Sequence, residues 1–289
     1  MENLELIQNL SHFSKYFGSR ISDVQGGGGN TSVKYDKYMS IKASGYALKD
    51  LSSNRGFSVM DLSSLKVFLS DKNLTQDKFD KLLGSFITSK KYNKPSMEAG
   101  LHAIIDHAYV AHTHSIFVNI FACSIEGKKI LLELFPSALW VSYATPGLDL
   151  YKRFCDSINN ISDAPKIIFL ENHGLIICSD DHKEIIDLNE EINNKLISEF
   201  RLKELIIGED LSRSNLNNLL FPDQAVYLEK IKNTDDNNLS VSARETISVV
   251  NYLLSSMAVL KLTPKYLDQS EQHKLINLES EKYRKKLEK

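Results

Sequence analysis

Strand-length apolar runs and segments of helical period take turns along this chain from Glu5 to Leu205, and that alternation constrains the fold more than any other feature. A chain built this way offers strands to a sheet and helices to lie on it. Glu5 to Phe17 repeats apolar residues at helical spacing (Leu6, Ile7, Leu10, Phe13, Phe17) and stops at Gly18, predicting a helix laid on a sheet. Asn30–Tyr35 and Tyr38–Lys42 read as a hairpin turned at Asp36-Lys37, with a third strand at Gly56–Met60. Helices follow over Asp61–Leu69 and Thr75–Phe86, and Ser96 offers an N-cap for a helix over Met97–Asp106. A strand covers Tyr109–His114. Two buried strands, Lys166–Leu170 and Leu175–Cys178, are parted by Glu171–Gly174, and a long helix covers Asp181–Leu205. Beyond Gly208 the pattern loosens into a surface loop at Asn233–Asn238 and two helices, Ala243–Leu260 and His273–Leu287. With 289 residues, one domain with a tail is the simplest organisation.

A formal net charge of -2 gives no overall basic field, which argues against nucleic acid as a partner. No apolar run approaches a membrane span, and the start at Met1 is acidic where a secretory signal would be basic, so the expectation is a cytoplasmic protein with no membrane association. Cys123, Cys155 and Cys178 are odd in number and lack CxxC spacing, which fits small apolar filler better than disulfides or a thiolate metal site.

The most informative chemistry lies in His112-Thr113-His114. Residues two apart on a strand share a face about 6.5 to 7 Å apart, so two imidazoles can lean together. By itself the pair fits two half-buried histidines equally well. His173, in the loop between the two buried strands, is the natural third ligand of a zinc site with one open position. Glu98 and His102 are four apart just before the HxH strand; a carboxylate beside a metal can serve as general base, although spacing alone favours an exposed pair. Gln25–Asn30 is a run of backbone donors that reads either as an anion nest or as a flexible turn. Ser44, Gly45 and Ser96 add donors of the kind that hold phosphate or carboxylate.

Taken in order, Gly29–Ser32, Lys42–Gly45, Pro95–Glu98, His112–His114, Tyr143–Gly147 and Asn172–Gly174 resemble the class II aldolase/adducin family, over a span from Ile7 to Ile207. The four-glycine run, Phe221–Tyr227 and Glu279–Arg284 look closest to the aldolase-like half of rhamnulose-1-phosphate aldolase/alcohol dehydrogenases, whose dehydrogenase half is not seen here. The resemblance implies an α/β, three-layer fold, with a central largely antiparallel sheet between helix layers over residues 1–210. Residues 211–289 would form a helical extension packed on the same domain or on a neighbouring subunit. It also implies a homotetramer, zinc held by His112, His114 and His173, and Glu98 as the acid/base. Gly29, Asn30, Ser44, Gly45 and Ser96 would bind a sugar or sugar phosphate. The reaction implied is a reversible, zinc-dependent aldol cleavage of a ketose phosphate or related hydroxy-carbonyl sugar through an enediolate. An epimerase or decarboxylase on the same site, or a non-catalytic adducin-like module, are the alternatives; the epimerase branch carries aspartate where this chain has Glu98. The chain departs from the pattern at Met97, where the sugar-phosphate aldolases have a second phosphate-binding serine. It also lacks their tyrosine within Leu134–Val141, leaving Tyr143 and Tyr227 as candidate proton donors.

Overall fold

The computed structural model describes residues 4–158, 164–235 and 238–277. Helix α1 (Leu4–Gly18) precedes strands β1 (Asn30–Tyr35), β2 (Tyr38–Lys42) and β3 (Phe57–Asp61). Helices α2 (Leu62–Leu69), α3 (Gln76–Leu82) and α4 (Ala99–Ile104) lead to β4 (Tyr109–Thr113). Then come α5 (Ile116–Ala122), α6 (Gly127–Leu134), β5 (Leu139–Val141), α7 (Leu148–Ser157), β6 (Ile167–Leu170), β7 (Gly174–Ser179) and α8 (His182–Phe200). The C-terminal part supplies α9 (Pro222–Lys232), α10 (Val241–Leu260) and α11 (Gln269–Asn277).

The strands form a seven-stranded sheet in the order β3-β2-β1-β4-β7-β6-β5. Every pairing is antiparallel except β5 with β6. Its central strands are buried on both faces, and the period of two sorts their side chains between two cores. Val110, Ile168 and Ile176 face one core with α2, α3, α4 and α7, while Ala111, Phe169 and Ile177 face the other with α1, α5, α8 and α10. The three-layer architecture follows. Among the described residues no helix is long and apolar enough to cross a membrane.

Several boundaries differ from the sequence expectation for identifiable reasons. The helix expected over Met97–Asp106 starts at Ala99, because β2 holds the approach: Ser96 N–H donates to the Lys42 carbonyl, and Ala43 bridges Pro95. The N-cap is Glu98 and not Ser96, whose hydroxyl accepts instead from the Glu98 N–H at 3.3 Å. The helix expected over Thr75–Phe86 tightens to 3₁₀ geometry at Leu83–Phe86. Helix α8 ends at Phe200, five residues before Leu205, because Arg201 turns left-handed at φ 52°. Of the helix expected over His273–Leu287, the residues after Asn277 lie outside the described residues, as does the Glu279–Arg284 motif.

The described part of the C-terminal extension packs on its own chain. Leu216, Phe221, Val226, Ile247 and Leu253 join the same core as Phe13 and Phe117. Asn172, itself left-handed at φ 52°, donates from its side chain to the carbonyls of Leu220 at 2.8 Å and Lys265 at 2.6 Å, tying the β6–β7 turn to this extension.

Candidate metal centre

Sheet register brings the chemistry together. His112 on β4 stands opposite Asn30 on β1 and Ile176 on β7. His114 lies just beyond the end of β4, anchored by its N–H on the Asp23 carbonyl at 2.8 Å, and His173 immediately precedes β7. Asp23 is buried and held by Arg20 at 2.8 Å, Asn193 at 3.0 Å and Asn189 at 3.2 Å. The turn bearing His173 needs glycine next to it: a Cβ on Gly174 would stand 2.1 Å from the Thr113 carbonyl oxygen. Because a backbone atom cannot yield as a side-chain tip can, Gly174→Ala should destabilise the fold by at least about 1 to 3 kcal/mol. A urea titration checks this; an unchanged midpoint would mean the two strands separate freely.

The three imidazoles form a buried cluster with ring centroids 4.9, 4.7 and 5.3 Å apart, and one nitrogen from each lies within 4.8 Å of the others. His112 Nδ1 faces the Leu175 carbonyl at 3.1 Å, so Nδ1 donates and Nε2 carries the lone pair. That Nε2 lies 3.1 Å from Nε2 of His114. Two nitrogens bound to one tetrahedral zinc at about 2.0 to 2.1 Å would stand about 3.3 Å apart, close to this spacing. The carboxylate of Glu98 faces the same point, with Oε2 3.6 Å from His112 Nε2 and Oε1 3.5 Å from His173 Nε2. Its Oε1 is buried and has no hydrogen-bond partner among the described residues. An orphaned carboxylate oxygen among imidazole nitrogens suits a divalent cation, so the residues present fit a metal.

Burial favours uncharged rings here, lowering the pKa of His112 and taking that of His173 down to about 3. Burial works against the Glu98 charge, but the facing His112 and His173 rings and the Asn30 amide outweigh it and hold the carboxyl at about 2. Asn30 Nδ2 donates to Glu98 Oε2 at 2.6 Å. Neutral imidazoles and an ionised carboxylate are the forms that ligate a metal.

Glu98, His114 and His173 line one pocket together with Gly29, Asn30, Ser44, Gly45 and Ser96. Met97, the departure noted in the sequence, also lines it as an apolar wall. The glycine run bends left-handed at Gly26 (φ 55°) and Gly29 (φ 64°). Two of its amides are already engaged, Gly26 N–H with Glu245 at 2.6 Å and Gly28 N–H with the Gln25 carbonyl at 2.9 Å, so an anion nest made from the whole run does not form.

Other expectations change in three dimensions. Glu98 and His102 are both buried, not an exposed pair, because α4 packs against the sheet. His102 Nδ1 meets the Ser32 hydroxyl at 2.7 Å, and burial lowers its pKa from 6.5 to about 3. The unfolded chain therefore takes up this proton first, so metal-free protein should lose stability as pH falls below about 6.5 and go on losing it toward pH 3. Urea midpoints measured from pH 7.5 downward test this, and His102→Gln should flatten the slope. His107 is half-buried and faces Asp180 at 3.3 Å. Neither candidate tyrosine lines the pocket: Tyr143 donates to Glu271 at 3.2 Å in a neighbouring cleft, and Tyr227 is buried on α9.

The sequence reading gave no role to three pocket features. Lys42 is a buried cation whose Nζ donates to the Gly27 carbonyl at 2.9 Å; it sits in the Lys42–Gly45 motif, where it could have been singled out. Asp223 on α9 places Oδ2 3.1 Å from His114 Nδ1. Val226 and Leu275, also from the C-terminal extension, complete the wall.

Known proteins share this arrangement of strands. The N-terminal class II aldolase domain of a conserved protein from Thermoplasma acidophilum superposes with a TM-score of 0.61 at 23% identity, covering 68% of this chain and 93% of that one. An aldolase II superfamily protein from Pseudomonas syringae gives a TM-score of 0.52 at 14% identity, covering 88% of this chain and 94% of that one. In sequence, the chain is 27% identical over 180 residues to the uncharacterized oxidoreductase YuxG of Bacillus subtilis (strain 168); the match takes in 59% of this chain but only 26% of that protein. Residues 12–196 match the family described as Class II Aldolase and Adducin N-terminal domain, and this stretch holds β1 to β7, Glu98 and all three clustered histidines. With the family's sequence pattern and its fold both present across more than half of its length, the chain is a member of the class II aldolase and adducin family.

Proposed function

We propose that this protein is a metal-dependent lyase that reversibly cleaves a ketose phosphate or related hydroxy-carbonyl sugar by a retro-aldol reaction. The observation that carries the reading is the Glu98 carboxylate set against the three-histidine cluster, beside a pocket with both polar and apolar walls. His112, His114 and His173 would hold zinc or a similar divalent ion, which when bound supplies Lewis acidity toward the substrate carbonyl. Glu98 then moves a proton on and off the carbon beside that carbonyl. The Asn30 amide, 2.6 Å from Glu98, keeps the carboxylate aimed and ionised. Ser44, Gly45, Ser96 and Asn30 hold the anionic end of the substrate, with the Lys42 ammonium supplying positive charge on the same side. Met97 gives this wall one hydroxyl fewer, which favours a less demanding anion than a fully chelated phosphate. The reading includes a homo-oligomer, most simply a tetramer, in the cytoplasm.

A panel of ketose 1-phosphates and unphosphorylated ketoses, with coupled detection of dihydroxyacetone phosphate, glycolaldehyde and lactaldehyde, tests the proposal. Cleavage that vanishes on chelation and returns with Zn2+ is expected. Epimerised or decarboxylated product without cleavage would replace the lyase by another reaction on the same site, and absence of any turnover would favour an interaction module.

A further inference from the structure

We propose that Asp223 is a positioning residue of the metal centre, fixing the ring of His114 so that its Nε2 faces the point shared with His112 and His173. The inference rests on the metal reading above.

The His114 ring bridges two partners. Its Nε2 lies 3.1 Å from His112 Nε2, while its Nδ1 lies 3.1 Å from Asp223 Oδ2, with the Asp223 side chain 13% exposed. A carboxylate accepts from N–H, so Asp223 selects the tautomer with hydrogen on Nδ1 and leaves the Nε2 lone pair for an ion. The Leu175 carbonyl does the same for His112. A carboxylate behind a ligating imidazole fixes ring orientation and raises ligand basicity.

Gly28 leaves room for the pair. A Cβ there would stand 2.7 Å from His114 Nδ1 and 2.8 Å from Asp223 Oδ2, squeezed against both atoms of the contact. The backbone that carries Asp223 is also held firmly. Gln224, fully buried, accepts from Leu220 N–H at 2.8 Å and donates to the carbonyls of Leu216 at 3.1 Å and Asn218 at 3.0 Å. Asn172, next to His173, grips the Leu220 carbonyl. The extension thus docks on the turn of one histidine and braces another, so ion affinity depends on residues beyond the sheet.

The test titrates Zn2+, and separately Co2+, into the metal-free full chain in competition with a chromophoric chelator. Asp223→Ala should weaken ion binding by about 10 to 100-fold. Asp223→Asn should lose less, since its amide oxygen still accepts from Nδ1 without the charge. Gly28→Ala should also weaken binding, by wedging the pair apart. The visible spectrum of bound Co2+ should shift in the Asp223 variants as the His114 ring reorients. Urea midpoints of the metal-free Asp223→Asn variant should match wild type, separating positioning from folding; if Asp223→Ala does not fold, Asp223→Asn and Gly28→Ala carry the comparison. Zn2+ affinities within about threefold of wild type across the folded variants would overturn the role of Asp223 while leaving the three-histidine site standing. A wild-type chain that bound neither ion would overturn this inference and the metal reading together.

Discussion

Wild-type protein is expected to purify with one divalent ion per chain, and His112→Ala and His173→Ala without it. Each ring supplies one of the three clustered imidazoles found among the described residues, both are buried, and an alanine removes a ligand nitrogen outright. Removing a ligand outright should cost more than the roughly 10 to 100-fold typical of disturbing a ligand's supporting partner. Because an ion bound only by the folded state stabilises it by mass action, about 2.7 kcal/mol when present at a hundred times its dissociation constant, chelation should also lower the wild-type melting temperature. The same chelator should leave the two variants unmoved. Elemental analysis of dialysed protein and paired melting curves read both effects. Full ion content in either variant would remove the histidine cluster from the centre.

Glu98→Gln should keep fold and metal yet lose about 10² to 10⁴-fold in kcat, with KM nearly constant, if the carboxylate moves a proton in the chemical step. Shape is preserved, and a glutamine oxygen can still accept from Asn30 Nδ2, which now meets Glu98 Oε2 at 2.6 Å. What disappears is the basic oxygen that burial leaves unpartnered, Oε1. If Glu98 serves only to fill the coordination position before substrate arrives, the variant should instead bind substrate more tightly and keep its turnover. Exchange of the ketose hydrogen next to the carbonyl with solvent deuterium separates the two roles. Exchange as fast in Glu98→Gln as in wild type would refute the proton-transfer assignment.

Local pattern was a good guide where one face of an element met the core. The β1–β2 hairpin, β4, the β6–β7 pair and α10 follow from periods of two and 3.6 with turn residues between them. The segment from Ile116 to Ser157 was not legible in the same way. Every residue of α5 is buried, so it carries no polar face to reveal a helical period, and β5 is only three residues long. Helix α9 hides for a similar reason, with Gln224, Ala225, Val226, Tyr227 and Ile231 all buried.

The site divides along the same line. His112-Thr113-His114 and the loop holding His173 can be picked out in the sequence, because strand alternation and a strand-end turn dictate where those rings point. Whether Glu98 is an exposed helix residue or a buried carboxylate facing three imidazoles depends on how α4 docks on the sheet, which helical spacing does not encode. Tyr143 and Tyr227 were the tyrosines left as candidate proton donors; packing sets the Tyr143 hydroxyl on Glu271 and buries Tyr227 with its hydroxyl beside Gly26. Asp223 lies 109 positions after His114 (223 − 114), and nothing local marks its partner. Short-range periodicity therefore accounts for the alternation of strands and helices and for the shared face of His112 and His114, while the family resemblance joined His173 and Glu98 to them. Which carboxylates face the three rings was settled by tertiary packing, since contacts between distant segments are set by how whole elements bury their apolar faces together.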